Sequence, residues 1–377
     1  RDYQFEAFKF ALENERGLIL SPTASGKSLI AYMLIRHYLN VIDNNILIIV
    51  PTTSLVEQLY KDFKSYGYDV ENNVSRNYHG YEIEEDKRVV ISTWQSLYKL
   101  PKTFFADFGA VIGDEAHLFK AVSLTKIMTK LVDCKYRIGM TGTLDDSKTH
   151  KLVLQGLFGQ VNKVVTSKEL IEKKQLADLK IICLVLKYNE QDSKSIRGVK
   201  YHEELEFIAQ NEQRNKYIRN LALALNGNTL CLFQLVEKHG QHLYKLIKEK
   251  ADKDRKVFFV YGGTDTSTRE EIRAITEREE NAIIVASYGT FSTGINIRNL
   301  HNIVFSSPTK SPIRVLQSIG RGLRVGDNKD SATVYDISDD LAYKGKDNFT
   351  LNHFKERVNI YNREGFDYTI HTVDLDK

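Results

Sequence analysis

The hydrophobic pattern of the first half of the chain alternates between short apolar runs and longer amphipathic stretches. An apolar run such as Ile46–Val50 is typical of a buried strand, whereas Lys27–Leu39 and Ser54–Tyr66 carry apolar residues at helical spacing. The strands expected in this half are Gly17–Ser21, Ile46–Val50, Val89–Ser92, Ala110–Asp114 and Arg137–Met140. Strands that alternate with helices indicate an α/β fold built on a parallel sheet.

The same alternation restarts in the second half, although the two halves share no obvious sequence repeat. The strands expected there are Thr229–Gln234, Val257–Tyr261, Ala282–Ser287, Asn302–Ser306 and Ala332–Ile337. The expected helices are His202–Leu225, Val236–Lys250, Arg269–Glu279, Pro312–Leu323 and Lys344–Arg363, and Lys187–Lys200 is predicted to be a surface loop. Because the pattern is interrupted between Gly159 and Leu179, we expect two doubly wound domains, residues 1–165 and 166–377.

Composition sets limits on the class of protein. With 377 residues, 42% hydrophobic and 27% charged, the chain has room for two or three domains and differs from collagenous, mucin-like or disordered proteins. Neither a bilayer-length apolar run nor a secretory leader is present, so we expect a cytoplasmic protein. The chain begins at Arg1 and not at Met, from which we expect a further N-terminal domain. The three scattered cysteines lack metal-ligand spacing and are interpreted as buried thiols in a reducing compartment.

Candidate chemistry begins at the octapeptide SPTASGKS, Ser21 to Ser28, which follows an expected strand and opens an expected helix. Small residues in that position allow backbone N–H groups to converge on phosphate oxygens at a helix N-terminus. Lys27 is expected to reach the β- and γ-phosphates, and the Ser28 hydroxyl to bind Mg²⁺. Ser21 departs from the glycine of the usual phosphate loop, and a simple turn of small residues is the alternative interpretation of this segment alone.

Two adjacent carboxylates, Asp114 and Glu115, follow the apolar strand expected at Ala110–Asp114. In an open α/β sheet, ligands bind beyond the carboxyl ends of the strands. Asp114 is therefore expected to hold Mg²⁺, and Glu115 to orient and deprotonate an attacking water. A solvated pair of acidic residues is common on its own, but a phosphate loop earlier in the chain favours nucleotide hydrolysis.

The Asp-Glu-Ala-His sequence after such a loop resembles the Walker B motif of superfamily 2 helicases and translocases. The other motifs of that family have counterparts in order over nearly the whole chain: Arg1–Gln4, Val50–Gln58, Ser92–Leu97, Gly139–Thr143, Leu230–Gln234, Ser287–Asn296 and Gln317–Arg324. The resemblance implies two tandem RecA-like domains with an ATP site in the cleft between them. The combined wording of SPTASGKS, GDEAH and QSIGRGLR is most similar to phage recombination helicases, which implies action on branched DNA.

The resemblance also implies a set of site residues. The catalytic group would be Lys27, Glu115, Thr141, Thr143, Gln317, Arg321 and Arg324. ATP and its Mg²⁺ would be bound by Gln4, Ser21, Pro22, Thr23, Ala24, Ser25, Gly26, Lys27, Ser28, Asp114 and Gly294, with Ser28 and Asp114 as the metal ligands. On a helix, the i,i+3 spacing of Arg321 and Arg324 would place both guanidinium groups on one face, where they would stabilise charge on the γ-phosphate.

The expected nucleic-acid contacts are small and polar rather than basic. They are Pro51, Thr52, Thr53, Thr93, Gln95, Thr290, Ser292 and Thr293. Hydroxyls and amides bind phosphates without reading base sequence, which suits a motor that must release and step. This agrees with a net charge of only +4, which by itself does not indicate a nucleic-acid binder.

The function expected from the sequence is that of an ATP-dependent DNA helicase or translocase acting on branched or partly single-stranded DNA. An RNA helicase and a nucleotide-gated clamp that does not unwind remain as alternatives. A monomer is expected, with recombination or single-strand-binding proteins as partners.

Overall fold

The computed structural model describes residues 1–80, 83–144, 148–294, 297–324 and 329–376, without the side chains of Lys120, Lys148 and residues 292–294. The chain divides into two compact units, Arg1–Thr166 and Ser167–Lys377. No helix in the described ranges is both long enough and apolar enough to span a bilayer.

The first unit contains a seven-stranded parallel sheet in the order β3-β4-β2-β5-β6-β1-β7. Its strands are Arg16–Leu20 (β1), Asn45–Val50 (β2), Val74–Asn77 (β3), Val89–Thr93 (β4), Phe108–Gly113 (β5), Tyr136–Thr141 (β6) and Val161–Lys163 (β7). Its helices are Asp2–Asn14 (α1), Lys27–Val41 (α2), Thr53–Ser65 (α3), Val70–Asn73 (α4), Trp94–Leu97 (α5), Val122–Lys130 (α6) and Lys148–Phe158 (α7). Two 3-10 turns, Lys102–Asp107 and Ala116–Lys120, flank β5.

The second unit contains another seven-stranded parallel sheet, in the order β10-β11-β9-β12-β13-β8-β14. Its strands are Asp178–Lys187 (β8), Thr229–Phe233 (β9), Val257–Val260 (β10), Ile283–Ser287 (β11), Asn302–Phe305 (β12), Ser331–Asp340 (β13) and Tyr368–Asp374 (β14). Its helices are Ser167–Glu172 (α8), Glu190–Ser195 (α9), Tyr201–Gln210 (α10), Glu212–Ala224 (α11), Gln241–Lys250 (α12), Thr266–Arg278 (α13), Tyr288–Gly294 (α14), Pro312–Gly322 (α15) and Phe349–Glu364 (α16). A π-helical turn, Val236–Gly240, precedes α12.

The two sheets share one topology. Counted from the first strand of its own unit, each sheet has the order 3-4-2-5-6-1-7. This repeated parallel α/β topology confirms the expected fold class, two tandem RecA-like units, although the two halves show no obvious sequence repeat. Equivalent loops of the two units therefore emerge at equivalent places along their sheets.

Helices cover both faces of the first sheet, which explains why strand β2 is apolar from Ile46 to Val50. Ile46, Ile48 and Val50 join a core formed with α1, α2 and α3, whereas Leu47 and Ile49 join a second core formed with α6 and α7. Successive residues of a strand point to opposite faces, so a strand covered on both sides has no polar positions. The doubly wound arrangement follows from this burial.

Three predicted elements of the second unit were wrong in detail. The expected surface loop Lys187–Lys200 contains the helix α9, which Asn189 caps by accepting a hydrogen bond from the Asp192 N–H at 2.8 Å. The expected helix His202–Leu225 is two helices, because Asn211 ends α10 and caps α11 through the Arg214 N–H at 2.9 Å. Asparagine competes with the helical backbone in this way and favours such caps.

The last helix also begins later than expected, at Phe349 rather than Lys344. The fully buried Glu204 of α10 accepts hydrogen bonds from the N–H groups of Phe349 and Thr350 at 3.0 and 2.7 Å. These are orphan donors of the first helical turn, and a carboxylate at a helix N-terminus satisfies them and complements the helix dipole. The start of α16 is thus set by a residue far away in sequence.

Two buried ion pairs anchor strand β13 to helices α11 and α16. Arg214 pairs with Asp339 and Arg357 pairs with Asp336, with shortest N–O distances of 2.7 Å in both cases and all four side chains fully buried. The Arg357 guanidinium also donates to the Thr309 main-chain oxygen at 2.8 Å. Buried charges are tolerated only when they are paired and hydrogen-bonded, as both are here.

Substitution of Arg357 by Met should lower the free energy of unfolding of the second unit by about 3–5 kcal/mol, because Asp336 would keep a buried and unpaired charge. The control is Lys355→Met on the same helix, which removes an exposed ion pair to Asp347 and should leave stability close to wild type. Urea denaturation followed by circular dichroism measures both. Equal losses in the two variants would contradict this account.

Candidate nucleotide site and nucleic-acid surface

The loop between β1 and α2 is bound to the neighbouring strand and turns through two left-handed residues. The Ser21 N–H donates to the Thr141 main-chain oxygen at 2.9 Å, which continues the pairing of β1 with β6 beyond the strand end. Ala24 and Gly26 have φ angles of +67° and +82°. A loop that turns in this way and then enters a helix has the form of a phosphate cradle.

Ser21, which departs from the usual glycine, is fully buried and holds the loop together. Its hydroxyl donates to the Ser25 hydroxyl at 2.7 Å, and the Ser25 hydroxyl donates to the Pro22 main-chain oxygen at 2.7 Å. The departure therefore exchanges a glycine for a hydrogen bond across the base of the loop.

The lysine of the loop stays close to its own backbone. Lys27 Nζ lies 3.3 Å from the main-chain oxygens of both Ser21 and Pro22, which accept its hydrogen bonds. Main-chain carbonyls hold an ammonium group more weakly than a carboxylate does, so these contacts can be exchanged for phosphate oxygens.

The start of α1 packs against the outside of the loop. The Tyr3 hydroxyl donates to the Ser25 main-chain oxygen at 2.6 Å. Gln4 Nε2 donates to the Ser25 and Gly26 main-chain oxygens, both at 3.2 Å. Gln4 thus lies at the predicted nucleotide site, and its contact with the adenine base of ATP stays a prediction.

Asp114 and Glu115 follow β5 directly, two strands away from the loop in the order β5-β6-β1. Glu115 has a left-handed φ of +48°, and its N–H donates to Asp114 Oδ1 at 2.9 Å. Desolvation, with the neighbouring Glu115 charge as the second cause, raises the pKa of Asp114 to about 6. The positive charge of Lys27 acts in the opposite direction and lowers the pKa of the same carboxyl.

His117 joins the acidic pair to the end of β6. Its Nδ1 lies 2.9 Å from Thr141 Oγ1 and 3.3 Å from Glu115 Oε2. Thr141 Oγ1 also donates to the Thr143 main-chain oxygen at 3.0 Å. Between these threonines, a Cβ on Gly142 would lie 3.3 Å from the Thr23 main-chain nitrogen, so this segment runs close to the phosphate loop. The structure thus brings Glu115, Thr141, Thr143 and the loop together.

The donor set at this edge of the sheet fits MgATP. Hydroxyl and carboxylate oxygens, as supplied by Ser28 and Asp114, are the ligands that Mg²⁺ prefers. Burial and the neighbouring Glu115 charge both raise the pKa of Asp114. A cation bound beside the two carboxylates would stabilise their ionised forms. The Ser28 hydroxyl lies 2.9 Å from the Tyr66 hydroxyl at the end of α3, a bond that Mg²⁺ binding would have to replace or share.

Two of the predicted nucleic-acid segments of the first unit lie side by side, after the adjacent strands β2 and β4. Gln95 Nε2 donates to the Pro51 main-chain oxygen at 3.5 Å, which joins the two segments. Thr52 caps α3 through the Leu55 N–H, and Thr53 is the first residue of that helix. Thr93 Oγ1 is bonded to Ser96 Oγ at 3.1 Å. Pro51, Thr52, Thr53 and Gln95 form one polar surface, whereas Thr93 is only 4% exposed. Nucleic-acid binding by these residues stays a prediction.

The predicted contacts of the second unit fall in α14. Thr290 is 5% exposed, and its hydroxyl lies 2.8 Å from Ser287 Oγ. The side chains of Ser292 and Thr293 lie outside what the structure describes, and the expected nucleotide contact Gly294 is the last residue of α14. Asn296 also lies outside the described residues.

The helix that carries the arginine motif corrects one prediction. Gln317 and Arg321 lie on α15, but the helix ends at Gly322, so Arg324 stands beyond its C-cap and does not share a helical face with Arg321. The C-cap of the helix is Leu323. Arg321 places its guanidinium 5.3 Å from the centre of the Phe291 ring in α14.

Three contributors to the site were not among the residues predicted from the sequence. His117 lies within the Asp-Glu-Ala-His sequence, so its position in the motif was an available signal. Tyr3 stands next to Gln4, but nothing in the sequence indicates that its hydroxyl reaches the loop. Tyr66 is distant in sequence from Ser28, and only the packing of α3 against α2 brings them together.

Comparison with known families matches both units. Residues 1–146 match the family described as the type III restriction enzyme res subunit, and residues 212–326 match the helicase conserved C-terminal domain.

Comparison with individual proteins extends this match over the chain. The chain is 37% identical, over 99% of its length and 77% of the relative's, to the ATP-dependent DNA helicase uvsW of Enterobacteria phage T4. It is 26% identical, over 87% of its length and 79% of the relative's, to the DNA 3'-5' translocase XPB2 of Sulfurisphaera tokodaii. A fragment of a putative HsdR subunit of a type I restriction enzyme from Vibrio vulnificus shares the fold, with a TM-score of 0.70 at 17% identity, covering 99% of this chain and 68% of that one.

Substitution of Gly26 by Ala should weaken ATP binding by about tenfold or more, because a residue with a Cβ is strained at a φ of +82° and the Cβ, 2.5 Å from Gln4 Nε2, would displace that amide from the loop. Gly67→Ala is the matched control, since Gly67 has the same φ of +82° with no atom within 4 Å of the added Cβ. Titration with a fluorescent ATP analogue measures both affinities. Equal weakening in the two variants would show that backbone strain, and not the loop contact, is responsible.

Proposed function

Because the chain belongs to the superfamily 2 helicases, we propose that it is an ATP-dependent DNA helicase or translocase, in which hydrolysis of ATP drives movement along DNA. The observation that carries this proposal is the meeting of Lys27, the Asp114–Glu115 pair and Thr141 beyond the carboxyl ends of β1, β5 and β6. In this proposal residues 1–165 form the ATP-binding domain and residues 166–377 the C-terminal helicase domain.

Hydrolysis needs a site that holds the phosphates, orients a water and removes its proton. Lys27 exchanges its main-chain acceptors for the β- and γ-phosphates, and Ser28 and Asp114 hold Mg²⁺. When bound, Mg²⁺ neutralises charge on the phosphate oxygens. Glu115 takes the proton of the attacking water, and His117, 3.3 Å from Glu115 Oε2, orients that carboxylate.

The same histidine provides a route from the phosphates to the rest of the sheet edge. His117 Nδ1 also contacts Thr141 Oγ1, which holds the Thr143 main-chain oxygen. A change at Glu115 on hydrolysis therefore acts on the segment Thr141–Thr143, which we propose as the coupling element. Arg321 and Arg324 are proposed to stabilise negative charge that develops on the γ-phosphate, as arginine fingers do.

Contact with nucleic acid is assigned to the segments after β2 and β4, which contain Pro51, Thr52, Thr53, Thr93 and Gln95, and to Thr290, Ser292 and Thr293 of α14. The first group lies at the same edge of the same sheet as the hydrolytic residues, since all of them follow carboxyl ends of parallel strands. Contacts of this kind to the nucleic-acid backbone carry no base specificity, and the net charge of +4 predicts binding that weakens with salt.

The substrate is proposed to be branched or partly single-stranded DNA, of the kind that recombination and stalled replication produce. Support comes from the phage relative, whose name is that of an ATP-dependent DNA helicase and which matches 99% of this chain. A monomer is proposed as the active species, with recombination or single-strand-binding proteins as partners.

Steady-state ATP hydrolysis should be slow without polymer and should rise about tenfold or more with DNA, with forked DNA more effective than a blunt duplex and RNA ineffective. The measurement is phosphate release with each polymer at matched phosphate concentration. Stimulation by RNA alone would support the RNA helicase, and no stimulation by any nucleic acid would overturn the proposed function.

Glu115→Gln should keep ATP affinity close to wild type while lowering kcat by about a hundredfold or more, because Gln cannot accept the water's proton. Lys27→Ala should lose ATP affinity as well, because it removes a cation from the phosphates. Binding titrations and single-turnover hydrolysis separate the two effects. If both variants hydrolysed ATP like the wild type, these roles would be wrong.

A further inference from the structure

A buried lysine joins the end of the arginine-bearing helix to a second segment of the same unit. Lys329 is 2% exposed and lies two residues before β13. Its Nζ donates to three main-chain oxygens: those of Gly322, of Arg324 at 3.1 Å and of Arg298 at 3.3 Å. One ammonium group thus uses all three of its N–H donors on backbone.

This placement is energetically unfavourable for a lysine taken alone. Desolvation lowers the pKa of Lys329 to about 7; the charge of Arg324 acts in the same direction, and Glu277 of α13 acts against it. The Glu277 carboxylate is itself engaged by the N–H groups of Arg298 and Asn299, at 2.6 and 3.2 Å. The ammonium is compensated mainly by carbonyl groups, one of which, that of Gly322, belongs to the C-terminus of α15, where the helix dipole favours positive charge.

The carbonyls that Lys329 holds lie beside the two arginines. Two of the three acceptors are involved: Gly322 follows Arg321 directly, and Arg324 is itself one of the two arginines. Gly322 is also packed closely against β12, because a Cβ on it would lie 2.7 Å from Ile303 Cδ1. The backbone between the arginines is therefore held both by Lys329 and by β12. Since Arg324 stands beyond the helix end, helical hydrogen bonding does not fix its position.

We propose that Lys329 is a positioning residue for Arg321 and Arg324, which locks the end of α15 to the segment at Arg298 so that both guanidinium groups are presented in one arrangement. The inference rests on the proposed function, in which these arginines stabilise charge on the γ-phosphate. Arg298 follows the motif at 287–296, so the hydrogen bonds of Lys329 also link that motif to the arginine motif.

An arginine that acts on developing charge contributes to the transition state more than to ATP binding. Loss of the Lys329 hydrogen bonds should therefore lower kcat and leave the KM for ATP nearly unchanged. A shift of catalytic groups by about 1 Å can lower a rate by about a hundredfold. A residue that only supports the fold would instead lower the melting temperature without a selective loss of kcat.

The test compares Lys329→Met with Arg255→Met. Arg255 is a matched control because its guanidinium also binds the carbonyls at a helix C-terminus, those of Ala222, Leu223 and Leu225 at 3.3, 2.6 and 2.9 Å. Those carbonyls end α11, which carries none of the helicase motifs. Lys329→Gln, which keeps a neutral donor, provides a second variant and carries the test by itself if Lys329→Met does not fold.

DNA-stimulated kcat and KM should be measured well below each variant's melting temperature. Lys329→Met should lose about tenfold to a hundredfold in kcat with KM within about threefold of wild type, and Lys329→Gln should lose less. Arg255→Met should keep wild-type kcat. Hydrogen–deuterium exchange without nucleotide should show faster exchange at residues 318–324 in the Lys329 variants only.

Wild-type kcat and unchanged exchange in both Lys329 variants would overturn the inference. So would a kcat loss that Arg255→Met shares at equal loss of stability. Arg321→Ala, measured in parallel, distinguishes failure of the proposed arginine role from failure of the Lys329 role. If Arg321→Ala hydrolyses ATP like the wild type, the proposed role of the arginines fails. If Arg321→Ala is inactive and the Lys329 variants are not impaired, only the role of Lys329 fails.

Discussion

Parallel pairing of β5, β6 and β1 is the constraint on which the rest of the site depends. Because the three strands run in one direction, the phosphate loop, the Asp114–Glu115 pair and the Thr141–Thr143 segment all emerge at one edge of the sheet. The hydrogen bond from the Ser21 N–H to the Thr141 main-chain oxygen extends that pairing into the loop. His117 then connects the carboxylate to Thr141. Residues more than a hundred positions apart become neighbours through strand order alone.

The repeated strand order explains why much of the fold was predictable. Strands buried on both faces are apolar runs, such as β2 and β9, and the sequence predicts them to within one residue at each end. The strands at or near the sheet edges were harder: β3, β7 and β8 were not predicted, and β14 is largely exposed, with a mixed polar pattern. Breaks such as the one at Asn211 depend on a single cap, which periodicity does not reveal.

The candidate site likewise contains residues that could be predicted from the sequence and contacts that could not. Motif residues could be predicted because their chemistry requires particular side chains at particular spacings, and the structure places Lys27, Asp114, Glu115 and Thr141 together. Contacts that rest on tertiary packing could not be predicted, among them Tyr66 on Ser28 and Lys329 on the end of α15. The helical face expected for Arg321 and Arg324 was wrong because the helix ends at Gly322, between the two residues.

We propose that ATP hydrolysis at this edge of the sheet is converted into movement on DNA. Strand separation of a forked duplex, followed in real time by fluorescence with ATP and with a non-hydrolysable analogue, tests this coupling. We expect separation with ATP and none with the analogue, although the protein binds the fork in both cases. Steady ATP hydrolysis on a fork whose strands stay paired, with no displacement of a bound obstacle, would contradict it and would describe a clamp instead of a motor.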